Sequence, residues 1–359
     1  MIERLPARFA PYAAWLRLPN ARAAMYGGLL ASGALFAILA NIERAPAREP
    51  SGPLAWIGPI ANGAGHVTHD FLEALAERTL WPAVQPAAPA SAVRPRSVAA
   101  LERHLSAAGF EIETVRSGDA EVPRLFLASL PSDMQHVVDS EQRKRLFIAT
   151  MLPHILSANE KIMADRERLL VLAERAGFGL RLRLADEEWL EELAAAYGLE
   201  EPDFAELKRR VDVVPASLAI AQAAAESGWG TSRFAQAGNA VFGQYAGGGQ
   251  KALIPRERAE GATHAVRAFD ALDGSVDGYM RNLNTHLAYA DFRRKREGMR
   301  NRGQDLDARS LSETLTRYSV KGIDYVRAIG SIMRTNQLDQ FDRARLGLEA
   351  PPAQLALSR

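Results

Sequence analysis

The chain has no cysteine in 359 residues. No disulfide can staple it, and no thiol can serve as its nucleophile. It also lacks a charge imbalance. Its 44 basic residues against 43 acids leave a net charge of +1, which gives no footprint for nucleic acid. Clustered metal ligands are missing: His264 and His286 are not spaced as a metal pair, so neither a metal nor another cofactor is expected. The run from Gly247 to Gly249 is not followed by Gly-Lys-Ser/Thr and reads as a loop rather than a phosphate cradle. There is no internal repeat. With 47% hydrophobic residues the chain can build one or two domains with a real core.

One long uncharged run is present. Ala23 to Ile42 carries no charge and includes Leu29, Leu30, Leu35, Phe36, Ile38 and Leu39. Such a helix spans about 30 Å, the thickness of a bilayer core. Before it stand Arg4, Arg8, Arg17 and Arg22 against Glu3; after it the charges balance. The positive-inside rule then leaves residues 1–22 in the cytoplasm, makes 23–42 a transmembrane anchor and exports the rest. A cleaved signal peptide is one rival, although the run exceeds the usual apolar core of one and no small-x-small site follows it; a buried helix of a soluble domain, in keeping with the many Ala and Gly, is the other.

Residues 43–96 are rich in Pro, Ala and Gly and read as an extended linker. The stretch 97–200 reads as a small α/β piece and a helical lead-in. Val98 to Ala108 is an amphipathic helix, and Phe110–Val115 and Pro123–Ala128 are short strands. A long helical stretch from Ser140 to Gly177 is broken near Pro153. Asp186 opens another helix that Gly198 ends, and Asp203 with Glu206 opens a third in a capping-box pattern. Further on, Gln250–Phe269 reads as a β-hairpin, and helices cover Ser275–His286, Ser310–Tyr318 and Gly322–Asn336. Residues 346–359 form a tail. The basic run from Arg293 to Arg296 reads as a solvated helix face, or as a contact for peptide carboxylates or anionic lipid headgroups.

The segment after Pro215 carries the chemistry. Pro215 is placed as the first residue of a helix, which alanines extend and Gly228 and Gly230 stop. Glu226 is the ionisable side chain at its end. Burial and the helix C-terminus both disfavour the carboxylate, and Trp229 can add an apolar wall. All three raise the pKa, as a proton-donating acid requires near neutral pH.

The blocks Glu226-Ser-Gly-Trp229-Gly and Gly238-Asn239-Ala-Val-Phe242-Gly243 resemble the glucosaminidases of the lysozyme-like superfamily (glycoside hydrolase family 73), in particular the Bax-like branch. Arg281 to Tyr289, Tyr318 to Ile329, Arg143 to Phe147 and Asn159-Glu160 fit the same branch, so the resemblance runs over roughly residues 120 to 340. It implies a mainly α (α+β) fold, with a lysozyme-like catalytic domain at 201–345 that carries a small β-hairpin. The chain is then a β-N-acetylglucosaminidase of bacterial peptidoglycan, held in the inner membrane with its catalytic domain in the periplasm. Its partners are glycan strands and, through residues 23–42, the membrane. A lytic transglycosylase and a catalytically silent wall-binding protein are the alternatives.

By the resemblance, Glu226 is the general acid and Tyr318 assists it. Trp229, Asn239, Phe242, Gln244, Tyr245, Asn284, His286, Tyr289 and Tyr325 contact the glycan. Related enzymes often place a second acid on the hairpin, where this chain has Glu257 and Glu260. Here it departs from a clean match, because the stretch from Pro255 to Gly261 is charged and turn-like. The substrate's own N-acetyl group can replace a protein nucleophile.

Overall fold

A computed structural model of the protein describes residues 93–247, 249–254 and 265–348. The anchor at 23–42, the linker up to residue 92, Glu257, Glu260 and the tail beyond 348 lie outside the described residues. Except for the end of α9, the elements below belong to the unit formed by Val84–Met299 and Asp305–Arg359.

The described fold is mainly helical. In chain order the helices are α1 (Val98–Ala107), α2 (Ile112–Ser117), α3 (Ser140–Gly177), α4 (Leu184–Ala196), α5 (Phe204–Arg210), α6 (Ala216–Ser227) and α7 (Arg233–Gly238), followed by α8 (Leu272–Thr285), α9 (Ala290–Asn301), α10 (Ala308–Ser312) and α11 (Ile323–Thr335). Between α7 and α8 lie two short strands, β1 (Ala252–Leu253) and β2 (Val266–Arg267), which pair antiparallel. Tyr245 extends this ladder through a bridge to Val266. The hairpin expected over Gln250–Phe269 therefore exists at its base.

α6 is the centre of the core. α11, the 3-10 turn Leu338–Phe341 and α3 all pack against it. That explains its composition: Ala219, Ala221 and Ala223 are fully buried, and small side chains let neighbours approach from every side. Pro215 stands at the N-cap, one position earlier than expected, and Gly228 closes the other end in the left-handed conformation at φ 59°. Asp342 takes over the capping that Pro215 cannot provide. It accepts from the Ser217 backbone N–H at 2.8 Å and from Ser217 Oγ at 2.7 Å.

Several local expectations need correction. α3 runs unbroken through Pro153. Its residues from Leu146 to Leu156 are buried, and that packing offsets the missing backbone donor. The stretch expected as a strand at 110–115 enters α2, because Ile112 and Val115 lie three residues apart and bury one helical face. Residues 123–128 form no strand. Leu127 bridges Val93, as Val122 does Leu346, each as an isolated pair, so the lead-in has helices without a sheet. The helix expected at Ser310–Tyr318 stops at Ser312, leaving Tyr318 in a turn.

The basic run on α9 is not a solvated face. Arg293 and Arg296 are buried, while Arg294 pairs with Asp291 and Lys295 with Glu313. Arg293 donates to the carbonyls of Leu283 and His286 at the end of α8. Arg296 donates to the carbonyls of Arg209, Asp212 and Val213 and sits 3.8 Å from the Asp212 carboxylate. Helix C-termini leave carbonyls unpaired, and a guanidinium satisfies several at once. Among the described residues no helix is long and apolar enough to cross a membrane.

Candidate active site

Glu226 lies in the last turn of α6, half-buried, where the chain leaves the core. The exit is tightly specified. Ser227 Oγ donates to the Ala223 carbonyl and accepts from the Gly230 N–H, and the Trp229 N–H bonds the Ala224 carbonyl. Trp229 itself is held at φ 56°, a rare conformation for a bulky residue. Its indole packs edge-on to Phe147 at 5.8 Å with Lys144 over the ring. Other residues lie against the Glu226 carboxyl.

One of them is Gly243. A Cβ built there would lie 3.0 Å from Glu226 Oε2, and the residue adopts φ 64°. The loop carrying it is fixed on both sides. Arg267 N donates to the Gln244 carbonyl at 2.8 Å, and Tyr318 Oη donates to the Phe242 carbonyl at 3.2 Å. Tyr325, Tyr318 and Tyr289 form a row of phenols next to Glu226. Tyr318 stacks on Tyr325 at 5.4 Å and 9° and lies 5.8 Å from Tyr289, whose ring is 5.7 Å from His286. Tyr325 hydrogen-bonds the Glu226 carboxyl, and Lys321 is the nearby cation.

Burial pushes the Glu226 carboxyl above the usual carboxylate range; the Tyr325 hydrogen bond and Lys321 oppose this without reversing it. The direction matches that read from the sequence. Burial likewise pushes the phenols of Tyr289, Tyr318 and Tyr325 upward, so they remain hydrogen-bond donors at neutral pH. The arrangement is a carboxyl whose protonated form burial favours, set beside aromatic faces and one cation. No carboxylate is among the groups acting on Glu226 in the described residues. Among those residues no three His, Asp or Glu side chains gather as a metal site needs.

Three residues expected to contact the glycan are instead buried and build the site's frame. Asn239 caps α7 at φ 51° and donates to the Phe269 carbonyl. It borders a separate cavity of about 710 Å³, shared with Arg94, Lys251 and Asp270 and not with Glu226. Phe242 stacks on Tyr279 with centroids 4.0 Å apart. Asn284 donates to the Asp212 carbonyl, so it joins Arg296 in holding the segment before α6. Of the others, His286 is exposed, Tyr245 is 70% exposed, Gln244 is partly buried, and Tyr289 and Tyr325 are largely buried.

Sequence reasoning missed Gln222, Tyr279 and Lys321. Gln222 had a signal. It is four residues before Glu226, on the same helical face, and it is a polar side chain within an alanine helix. A polar group so placed must find partners, and Gln222 finds Tyr279 and Tyr325. Asn159 of the lead-in likewise clasps the segment before α6, bonding both the N–H and the carbonyl of Val214.

Residues 201–338 match the family model "Glucosaminidase", described as mannosyl-glycoprotein endo-beta-N-acetylglucosaminidase. The chain is 32% identical over 212 residues to Protein bax of Escherichia coli (strain K12), covering 58% of this chain and 75% of that protein. A solved structure, the catalytic domain of the autolysin Auto from Listeria monocytogenes, is 17% identical over 48% of this chain and 97% of that one. Its TM-score of 0.29 is too low for the two folds to be equated. On the family match and the Escherichia coli relative, the chain belongs to the glucosaminidase family of glycoside hydrolases.

Proposed function

We propose that the protein hydrolyses the glycan strand of peptidoglycan as a β-N-acetylglucosaminidase on a lysozyme-like domain, with Glu226 as general acid. One observation carries this: a half-buried carboxyl at the end of the core helix α6 is held above the usual carboxylate range beside a row of tyrosines. A protonated carboxyl can deliver its proton to the leaving glycosidic oxygen. Tyr318 steadies the Phe242–Gly243 loop against that carboxyl. Exposed Tyr245 and His286 offer faces for sugar rings beyond the reacting bond.

The second group in this reading is the substrate's acetamido oxygen or a positioned water. Two protein carboxylates would have to flank the bond at about 5 to 9.5 Å. The hairpin residues Glu257 and Glu260 lie outside the described residues, and a charged, glycine-containing turn is a poor place to fix such a distance. The inner-membrane anchor at Ala23–Ile42, with the catalytic domain in the periplasm, remains part of the proposal on the charge asymmetry of its flanks.

Mass spectrometry of fragments released from purified sacculi tests the activity. Fragments ending in reducing N-acetylglucosamine are expected. Ends in 1,6-anhydro-muramic acid would make the protein a lytic transglycosylase, and retained binding without release would make it a wall-binding protein.

A further inference from the structure

Gln222 is fully buried, one turn before Glu226 on α6. Its amide joins two tyrosines from different helices. Tyr279 of α8 donates its hydroxyl proton to Gln222 Oε1 at 2.8 Å, and Gln222 Nε2 donates to the Tyr325 hydroxyl oxygen at 3.0 Å. Tyr325 of α11 in turn bonds the Glu226 carboxyl. This polarity leaves neither tyrosine hydroxyl proton without an acceptor. With the amide reversed, Nε2 would face the Tyr279 oxygen and leave the proton of a fully buried phenol without its acceptor. Oε1 would then draw the Tyr325 proton away from Glu226. Because Tyr279 can discharge its proton only onto Oε1 in this chain, the order of donors is set from the core outward.

We propose that Gln222 is a positioning residue: with Tyr279 it fixes the Tyr325 hydroxyl as a donor to one oxygen of Glu226, so that the transferable proton resides on the other. This rests on the reading of Glu226 as general acid. The groups facing Glu226 are Tyr325 from α11, Lys321 and Tyr318 from the turn before it, and Tyr289 from the turn after α8. The Gly243 loop from Ala240 to Gln244 brings no titratable side chain. A hydrogen bond donated to the carboxylate favours its charged form. Losing it therefore raises the Glu226 pKa further. Activity falls as pH rises through that pKa, so its alkaline limb moves to higher pH.

The test is the pH profile of sacculus hydrolysis for Gln222→Met, Tyr279→Phe, Tyr325→Phe and the pairs. Gln222→Met is expected to lower the rate at the optimum by about tenfold and to move the alkaline limb upward by roughly half a unit or more. Tyr325→Phe should move it equally, and the double variant no further, because both changes remove one interaction. Tyr279→Phe should move it the same way, and it carries the test with Tyr325→Phe if Gln222→Met fails to fold. An unmoved limb, or shifts that add in the pairs, overturns the proposal. Glu226→Gln is the control. If that variant stays active, the reading of the site is wrong; if it is inactive and the limb is unmoved, only the role of Gln222 is wrong.

Discussion

Gly243 leaves no room for a side chain beside Glu226: its Cβ would sit 3.0 Å from Glu226 Oε2, with the backbone at φ 64°. Gly243→Ala combines a left-handed backbone penalty of about 1 kcal/mol with displacement of the carboxyl. We expect a small drop in melting temperature and a disproportionate loss of hydrolysis, roughly tenfold or more, since misplacement of a reacting group by about 1 Å can cost 100-fold. Turbidity clearance and thermal melts on the same samples separate the two effects.

Glu226→Gln should lower the rate by about 100- to 10,000-fold, the range for loss of a general acid. It should also change stability with a definite sign. Burial raises the pKa of Glu226 in the folded state, so ionisation costs stability. The contribution of the protonated form is complete below the unfolded carboxylate pKa and is lost as pH rises through the higher folded pKa. Gln does not ionise. The variant should therefore melt above the wild type at neutral pH, with the difference shrinking as pH falls through the carboxylate range. A variant less stable at neutral pH would mean that the acid is not held against its ionisation.

Tyr318→Phe keeps the ring between Tyr289 and Tyr325 and removes the bond to the Phe242 carbonyl. We expect a loss of roughly tenfold or more in rate, from one part-buried hydrogen bond and a loosened loop. Glu257→Gln and Glu260→Gln, singly and together, should each cost less than about tenfold. Abolition of turnover by either hairpin change alone would establish a second protein carboxylate.

Arg296→Met removes a guanidinium that serves the carbonyls of Arg209, Asp212 and Val213. It leaves the Asp212 carboxylate buried with one cationic partner fewer, since Arg166 remains 3.7 Å away. Breaking a buried pair costs about 3 to 5 kcal/mol, and denaturant midpoints should report a loss on that scale.

The centre of this site was legible because its signals are local. Proline before the alanine run, glycines after it and one acid at its end specify a buried helix with a carboxyl at its exit. The partners of that carboxyl were legible only through family likeness. Tyr325 stands 99 positions after Glu226, and nothing in its own neighbourhood says which way its hydroxyl points. Asn239 and Asn284 misled for a related reason: an amide reads the same whether it will meet a sugar or an unpaired carbonyl. The arginines of α9 misled because sequence displays charge and not exposure. Arg293 and Arg296, three apart, face the core, while Arg294 between them faces solvent. Short apolar runs such as Phe110–Val115 fit helix and strand equally until their neighbours are known.

The cap on α6 bears on how this protein can be cut. The family match ends at residue 338, but the carboxylate that holds the first turn of the catalytic helix belongs to Asp342. Phe341 beside it is fully buried, and Val122 pairs with Leu346 across the two ends of the described chain. The match also begins at residue 201, after the whole of α3, which packs on α6. A fragment trimmed to 201–338 would keep Glu226 and every tyrosine around it, yet discard the lead-in helix against one side of α6 and the carboxylate at its start. The boundary by which the family is recognised and the boundary at which the polypeptide can stand alone are different, and expression of the domain should follow the second.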